Sequence, residues 1–377
     1  MFCTYRFRIR RWELKAAVVY EFGQPVQIKN LEQDPPKSGE VKVRMGAAGV
    51  CASDNHLRHG NAILPLPVVL GHEGAGTVVE VGEGVRGLNV GDRCILSFVS
   101  NCGNCRTCRI GLPNICETNL ETGSRQFDGT YRLHDQDSDV GQMGKLGVFA
   151  ETIVIPQQAC FPIPSSVPFD VAALIGCCVT TGVGSIINNP AARPGVTVAV
   201  FGCGGVGLNV IQGAVLVGAS RIIAIDVVDH KLEFAYKFGA TDVINSRDVD
   251  VVEAIKDLTG DGVDMAVDSF GGVEVITDAV SALRRGGTAV MVGLVPVGAK
   301  AAVDVVDMIR AQKSLVGSYY GSASPHQTFE KLVNYYLSGR IDVGGLITRE
   351  YQLDQLNEGF EAIEAGEDGR GVVVFGH

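Results

Sequence analysis

The stretch Gly202–Gly207 reads GCGGVG, and its surroundings constrain the fold more than any other part of the chain. It follows the continuous apolar run VTVAVFG and opens the helix-like run LNVIQGAVLVGA. Asp226 then closes the next apolar run, RIIAID, 19 residues after Gly207. A lone G-x-G-x-x-G carries little weight, but a strand–turn–helix–strand setting is what a dinucleotide site requires. Gly202, Gly204, Gly205 and Gly207, with the Val206 backbone, let the chain approach a pyrophosphate at a helix N-terminus, and the acid binds the ribose hydroxyls. Asp226 repels a 2′-phosphate, and Val227 and Val228 follow it with no Arg, so NAD is expected over NADP. Lys231 is a further candidate for the adenosine ribose, with a solvated helix lysine as the plainer reading. The alternation continues through DVIN, VEAIKDL, DMAVDSFG, VSALR and GGTAVMVGL, and fully apolar strands imply a doubly wound parallel sheet covered on both faces. The uncharged window from Pro194 to Ser220 is long enough to span a bilayer, yet the glycine turn breaks it into a buried strand and helix.

The flanking sequence has a different period. From Lys15 to about Glu80, alternation in VKVRM and TVVEV suggests half-buried antiparallel strands in a barrel-like or sandwich domain. From about Ser322 the chain returns to amphipathic helix and short strands, as in LNEGFEAIEAG and GVVVFGH. The α/β chain thus reads as a β-rich domain, 1–179 with 322–377, interrupted by a Rossmann domain at 180–321. A length of 377 residues supports two cores. Residues 117–145 are polar and poorly periodic, which predicts a long loop over the site entrance or a subunit surface, with His134 solvated. Asp170 is a candidate helix cap. The basic residues 1–14 read as an extra edge strand or an upstream start, with a targeting segment as the alternative.

Chemistry concentrates in Gly49–Glu73, which holds Cys51, Ser53, Asp54, His56, His72 and Glu73. Cys and His are ligands that Zn²⁺ selects, and an acid such as Asp54 is the usual partner of a ligating His. The third ligand needed to fix an ion is expected from Cys177 or Cys178. Cys102, Cys105, Cys108 and Cys116 fall within 15 residues and can close a tetrahedral structural zinc, with an iron–sulfur cluster as the rival. Eleven cysteines without a secretory signal point to ligands and buried thiols, hence to a cytoplasmic protein. A net charge of −10 argues against nucleic acid or an anionic membrane as partner.

In GVCASD (49–54), GHEGAGTV (71–78), CGNCRTC with Cys116, LIGCCVTTGVGS (174–185) and GCGGVG, the chain resembles the zinc-dependent medium-chain alcohol dehydrogenases from about Lys15 onward. The resemblance implies a GroES-like catalytic domain beside the Rossmann domain, two zinc ions and NAD. It assigns Cys51, His72 and Cys177 to the catalytic zinc, with Cys178 a packed neighbour. By the same resemblance Ser53 takes the alcohol proton and His56 passes it to solvent through the cofactor ribose. Asp54 orients His72, Glu73 lies behind the metal, and Arg370 sits near the pyrophosphate. Ala52 departs from relatives that carry Arg or His there, which leaves the cofactor grip to other residues. His59 is read as surface. The run from Gly123 to Glu151 is similar to the class III and nicotinoprotein-like branch, which implies a tightly held cofactor or aldehyde-forming oxidation.

The expected activity is reversible alcohol oxidation on a small-molecule alcohol or aldehyde. Oxidation of formaldehyde–thiol adducts is the alternative within enzymes, and a non-catalytic, zinc-stabilised nucleotide-binding protein is the alternative of another class. The apolar sheet edge near GGTAVMVGL predicts a homo-oligomer, a homodimer before a homotetramer. Phe98, Leu120, Leu294 and Val295 are candidate pocket residues whose direction the sequence does not set.

Overall fold

The computed structural model describes residues 12–61, 64–367 and 369–376. The reading of the N-terminal run falls, up to position 11, outside the described residues.

The all-apolar runs form a six-stranded parallel sheet. Its order is Asp242–Asn245, Arg221–Asp226, Thr197–Phe201, Val263–Asp268, Leu283–Met291 and Ser314–Gly317. Val198, Ala199, Val200, Ala266 and Val267 in the two central strands are fully buried, because helices cover both faces. Chain order reverses between Thr197–Phe201 and Val263–Asp268. A ligand crevice forms at the carboxyl ends of strands at such a switch point. Gly202 and Ser269 follow those two strand ends directly.

The other strands form a seven-stranded sheet and a closed five-stranded barrel. The long strand Glu40–Val50 is the hub of the larger sheet and pairs with Glu73–Val81, Thr152–Pro156 and Arg370–Val374. The C-terminal strand therefore lies beside residues more than three hundred positions earlier, with Gly371 opposite Val50. The expected combination of a β-rich part and a parallel Rossmann-type sheet is present.

One buried helix joins the two regions. It runs Phe169–Leu174, passes through a π-helical turn at Ile175–Val179, and continues as Thr180–Ile187. Pro168 begins it, and the Asp170 carboxylate accepts from its neighbour Val171 N at 2.8 Å, so Asp170 is not the cap. Among the described residues this is the one helix long and apolar enough to cross a bilayer, and 83% of its most apolar window is buried inside the protein. The small residues of TTGVGS explain its packing. A Cβ on Gly182 would lie 2.4 Å from the Val206 carbonyl oxygen, so the helix presses backbone to backbone on the helix Gly205–Leu216.

Residues 117–145 differ from the long loop that their polarity predicts. They are not a loop but a helix, Glu117–Thr122, and two barrel strands, Leu133–Asp135 and Ser138–Gln142. Several of their polar side chains are buried and hydrogen-bond within the protein, while others such as Glu121 and Arg125 face solvent. Gln126 donates to the carbonyls of Lys145 at 3.1 Å and Val154 at 3.2 Å. Lys145 donates to Asn119 O at 2.9 Å and Gly123 O at 3.2 Å, and burial pushes its ammonium down to about 8 against the pull of Cys116. His134 is buried rather than solvated, between Asp34 at 3.0 Å and Asp139 at 2.9 Å.

Arg132 is the largest fully buried side chain and holds this segment to the hub strand. Its Nε and Nη2 donate to the Glu40 carboxylate at 2.8 and 2.5 Å. Removing one partner of such a pair strands the other charge, so Arg132→Ala is expected to destabilise the fold by about 3–5 kcal/mol in urea denaturation. A loss under ~1 kcal/mol would show that Glu40 reaches water instead.

Candidate functional site

The site begins at a helix start. Cys51 is the N-cap of Ala52–Arg58, and its N–H donates to Asp54 Oδ2 at 3.3 Å. The other oxygen of Asp54 accepts from Gly71 N at 3.0 Å and lies 2.9 Å from His72 Nδ1. Asp54 is fully buried, and burial raises its carboxyl against the stabilising His72. The hydrogen bond places the His72 proton on Nδ1 and leaves Nε2 free to ligate. Burial opposes charge on His72, but Asp54 and Cys51 outweigh it and hold the ring well above its ordinary value.

Ligand atoms of Cys51, His72, Glu73 and Cys177 all lie within 4.8 Å of one another, and all four residues are buried. Cys177 arrives on the π-helical turn, whose extra residue re-aims side chains relative to a regular helix. Of the two cysteine candidates, Cys178 turns away and donates to Leu174 O at 3.6 Å. The Cys51 thiol is held well below its ordinary value by Cys177 and then by His72, and Cys177 is pushed up in return. Soft thiolates with one imidazole are the donor set that fits Zn²⁺. Glu73 fits behind them: burial pushes it up to about 7, while Arg370, 2.7 Å from its Oε2, pulls the other way. Its Oε1 has no hydrogen-bond partner among the described residues. Gly49 makes room, since a Cβ there would lie 2.3 Å from Glu73 Oε2.

Cys102, Cys105, Cys108 and Cys116 form a second group with sulfurs within 4.8 Å of one another. Backbone N–H groups aim at them: Cys105 N to Cys102 Sγ at 3.3 Å and Asn119 N to Cys116 Sγ at 3.4 Å. Thr107 holds the Cys105 thiol down to about 5, and burial pushes Cys108 up to about 12. Four thiols with amide support fit a closed tetrahedral ion.

The glycine turn lies at the switch point. Gly204 caps the helix Gly205–Leu216, and a Cβ on Gly207 would sit 1.8 Å from Gly202 O. Asp226 accepts from Cys203 N at 2.8 Å, which folds the carboxylate against the turn. Lys231 Nζ reaches to 3.8 Å from where a Cβ on Gly366 would be, so it spans toward the C-terminal segment. Arg370 joins both centres: it pairs with Glu73, donates to Val50 O at 3.0 Å, and packs on Gly205, where a Cβ would lie 2.5 Å from Arg370 Cδ. Ser53 is half-buried and His56 exposed, three residues apart and hence on one helix face. His59, also exposed, pairs with Glu364 at 2.8 Å.

Sequence reading missed Tyr319 and Tyr320. Tyr320 is buried at φ 53°, and its hydroxyl donates to Gly176 O at 2.5 Å, beside Cys177. Phe98 stands edge-on to His72 with ring centroids 5.2 Å apart and contacts both tyrosines. Nothing in the sequence YYGS announces the left-handed backbone of Tyr320–Ser322 or a neighbour at position 176. Leu120 and Leu294 are largely exposed in the single chain.

Two family profiles match the chain: the alcohol dehydrogenase GroES-like domain over residues 37–165 and the zinc-binding dehydrogenase over 205–338. Alcohol dehydrogenase B of Mycobacterium tuberculosis is 36% identical over 368 residues, covering 96% of this chain and 98% of that protein. The NDMA-dependent alcohol dehydrogenase of Amycolatopsis methanolica is 37% identical over 366 residues, 96% and 98%. The crystal structure of benzyl alcohol dehydrogenase from Acinetobacter calcoaceticus superposes with a TM-score of 0.92 at 32% identity, covering 97% of this chain and 100% of that one. These matches and the fold define a zinc-binding dehydrogenase. The chain belongs to the zinc-dependent medium-chain alcohol dehydrogenase family, a family of oxidoreductases acting on alcohols.

Gly207→Ala is expected to abolish dinucleotide binding measured by calorimetry, because no shift of a side chain relieves a backbone oxygen at 1.8 Å. Binding within about threefold of wild type would refute the close-approach role.

Proposed function

We propose that this protein is an NAD-dependent, two-zinc alcohol dehydrogenase that interconverts an alcohol with its aldehyde or ketone. The observation that carries the reading is the convergence of Cys51, His72, Glu73 and Cys177 within 4.8 Å, beside an Arg370 that packs on the dinucleotide turn. The reading divides the chain into 1–179 with 322–377, and 180–321, with the chemistry in the cleft between them.

Cys51, His72 and Cys177 would hold the catalytic ion, and Cys102, Cys105, Cys108 and Cys116 the structural one. Zn²⁺ at the first position supplies Lewis acidity, which lowers the pKa of an O–H towards ~7. NAD in the cradle of Gly202, Gly204, Gly205, Val206 and Gly207 supplies the hydride acceptor. The remaining work falls to the chain itself. Asp54 fixes the His72 tautomer. Ser53 accepts the substrate hydroxyl proton, and His56, exposed on the same face, hands it to solvent. Asp226 binds the ribose hydroxyls, with Lys231 alongside, and Glu73 with Arg370 sets the charge behind the ligands. Phe98 and Tyr319 exclude water from one wall.

Alcohol oxidation by the purified protein with NAD tests the reading, together with metal and cofactor content. Cys51→Ser is expected to lower metal from about two equivalents to about one and to abolish turnover. Ser53→Ala is expected to keep the metal and lower kcat/KM by about 10²–10³-fold. Full activity in either variant would sink the assignment. Formaldehyde oxidation that requires an added thiol would redirect the substrate to a thiol adduct. A high cofactor content in the purified protein would support the tightly held form.

The edge strand Ser314–Gly317 and the exposed Val305, Val306 and Ile309 beside it carry the proposal of a homodimer. Light scattering should then give twice the chain mass, and Ile309→Lys should give a monomer.

A further inference from the structure

Two asparagines flank Cys116, the last ligand of the four-cysteine group, and each reaches out of that lobe toward the aromatic wall over His72. Asn114 is 4% exposed, and its Nδ2 donates to Tyr319 O at 2.9 Å, a residue 205 positions away. Asn119 donates through Nδ2 to Phe98 O at 3.4 Å, while its own N–H donates to Cys116 Sγ at 3.4 Å. Lys145 holds Asn119 from the other side at its carbonyl, 2.9 Å away. The Oδ1 atoms of both asparagines are buried with no partner among the described residues, so the donor ends are what hold these side chains in place. The two receiving residues are Phe98, edge-on to His72, and Tyr319, next to the buried Tyr320 that donates to Gly176 O. Tyr320, Gly321 and Ser322 all have positive φ, so the segment carrying Tyr319 needs external contacts to keep its shape.

We infer that Asn114 and Asn119 are positioning residues through which the four-cysteine lobe sets the aromatic wall of the substrate site. The inference rests on the alcohol dehydrogenase reading for its substrate arm. The lobe is then a brace for substrate binding as well as a local fold. Loosening it weakens capture of an aromatic alcohol while the reacting residues, held separately by Asp54 and Arg370, stay in place. A small aliphatic alcohol, which has no ring to lay against Phe98 and Tyr319, is affected least.

The test combines hydrogen–deuterium exchange with kinetics on the full-length, metal-loaded protein. In Asn114→Ala and in the same-shaped Asn114→Asp, exchange in the peptide spanning 314–322 is expected to rise about tenfold with metal content unchanged. KM for benzyl alcohol is expected to rise about five- to tenfold, KM for ethanol and both kcat values staying within about twofold. Unchanged exchange at 314–322, or equal KM changes for the two alcohols, would overturn the inference. If neither variant folds, Cys51→Ser protein, which is expected to keep only the four-cysteine metal, is treated with a chelator until that metal is released, followed with a chromophoric metal indicator. Faster exchange at 314–322 then supports the brace, and protected amides there refute it. A wild-type protein that oxidises no alcohol would defeat the functional reading alone, since the exchange experiment reads the brace without turnover.

Discussion

A single buried carboxylate holds the site together. Asp54 accepts from Cys51 N, Gly71 N and His72 Nδ1, so one side chain ties the start of the helix Ala52–Arg58 to His72, just ahead of the strand that begins at Glu73. Without those three donors a carboxylate at zero exposure would be expensive, and with them it fixes two ligand-bearing segments at once. Other features of the centre depend on that tie. The tautomer of His72, the edge-on seat of Phe98 and the approach of Cys177 all assume that Cys51 and His72 already face each other.

The second organising element is Arg370. Its guanidinium offsets Glu73, caps the Val50 carbonyl and lies against Gly205, so the last strand connects the ligand cluster to the dinucleotide turn. The small residues of the buried linking helix serve the same end. Gly182 lets backbone meet backbone at Val206, which brings the π-helical turn with Cys177 close to the turn at Gly202–Gly207, and Gly184 meets the Gly321 backbone on its other side.

Much of this was legible in the sequence, for identifiable reasons. Apolar strands covered on both faces announce a parallel sheet, and GCGGVG between a strand and a helix announces its switch point. The two candidate ligand groups stood out because Cys and His at metal spacing are chemically distinctive, and their donor atoms converge. The polar run 117–145 was misread because sequence shows polarity but not where it is satisfied. Arg132, Gln126 and Lys145 look like solvent-facing residues until Glu40 and the backbone carbonyls of other segments surround them. His134 failed in the same way, between Asp34, just past one strand, and Asp139 on another. Tyr319 and Tyr320 were invisible because their partners are distant in sequence: Phe98 follows the strand Arg93–Leu96 and Gly176 lies on the linking helix.

The spacing of the two cysteine groups sets an order of assembly. Cys102, Cys105, Cys108 and Cys116 close within one short segment, so the loop entropy of forming that cluster is small and needs little of the rest of the chain. The other cluster draws on positions 51, 72 and 177, with Arg370 behind it, and is not complete until distant strands have paired. As the chain leaves the ribosome, the first group can capture an ion while the C-terminal strand is still unmade. The second needs the linking helix to have docked, because Cys177 stands on it. An ion at the second centre would thus report that residues 51–73 and the linking helix have docked, whereas one at the first would report only on a local lobe.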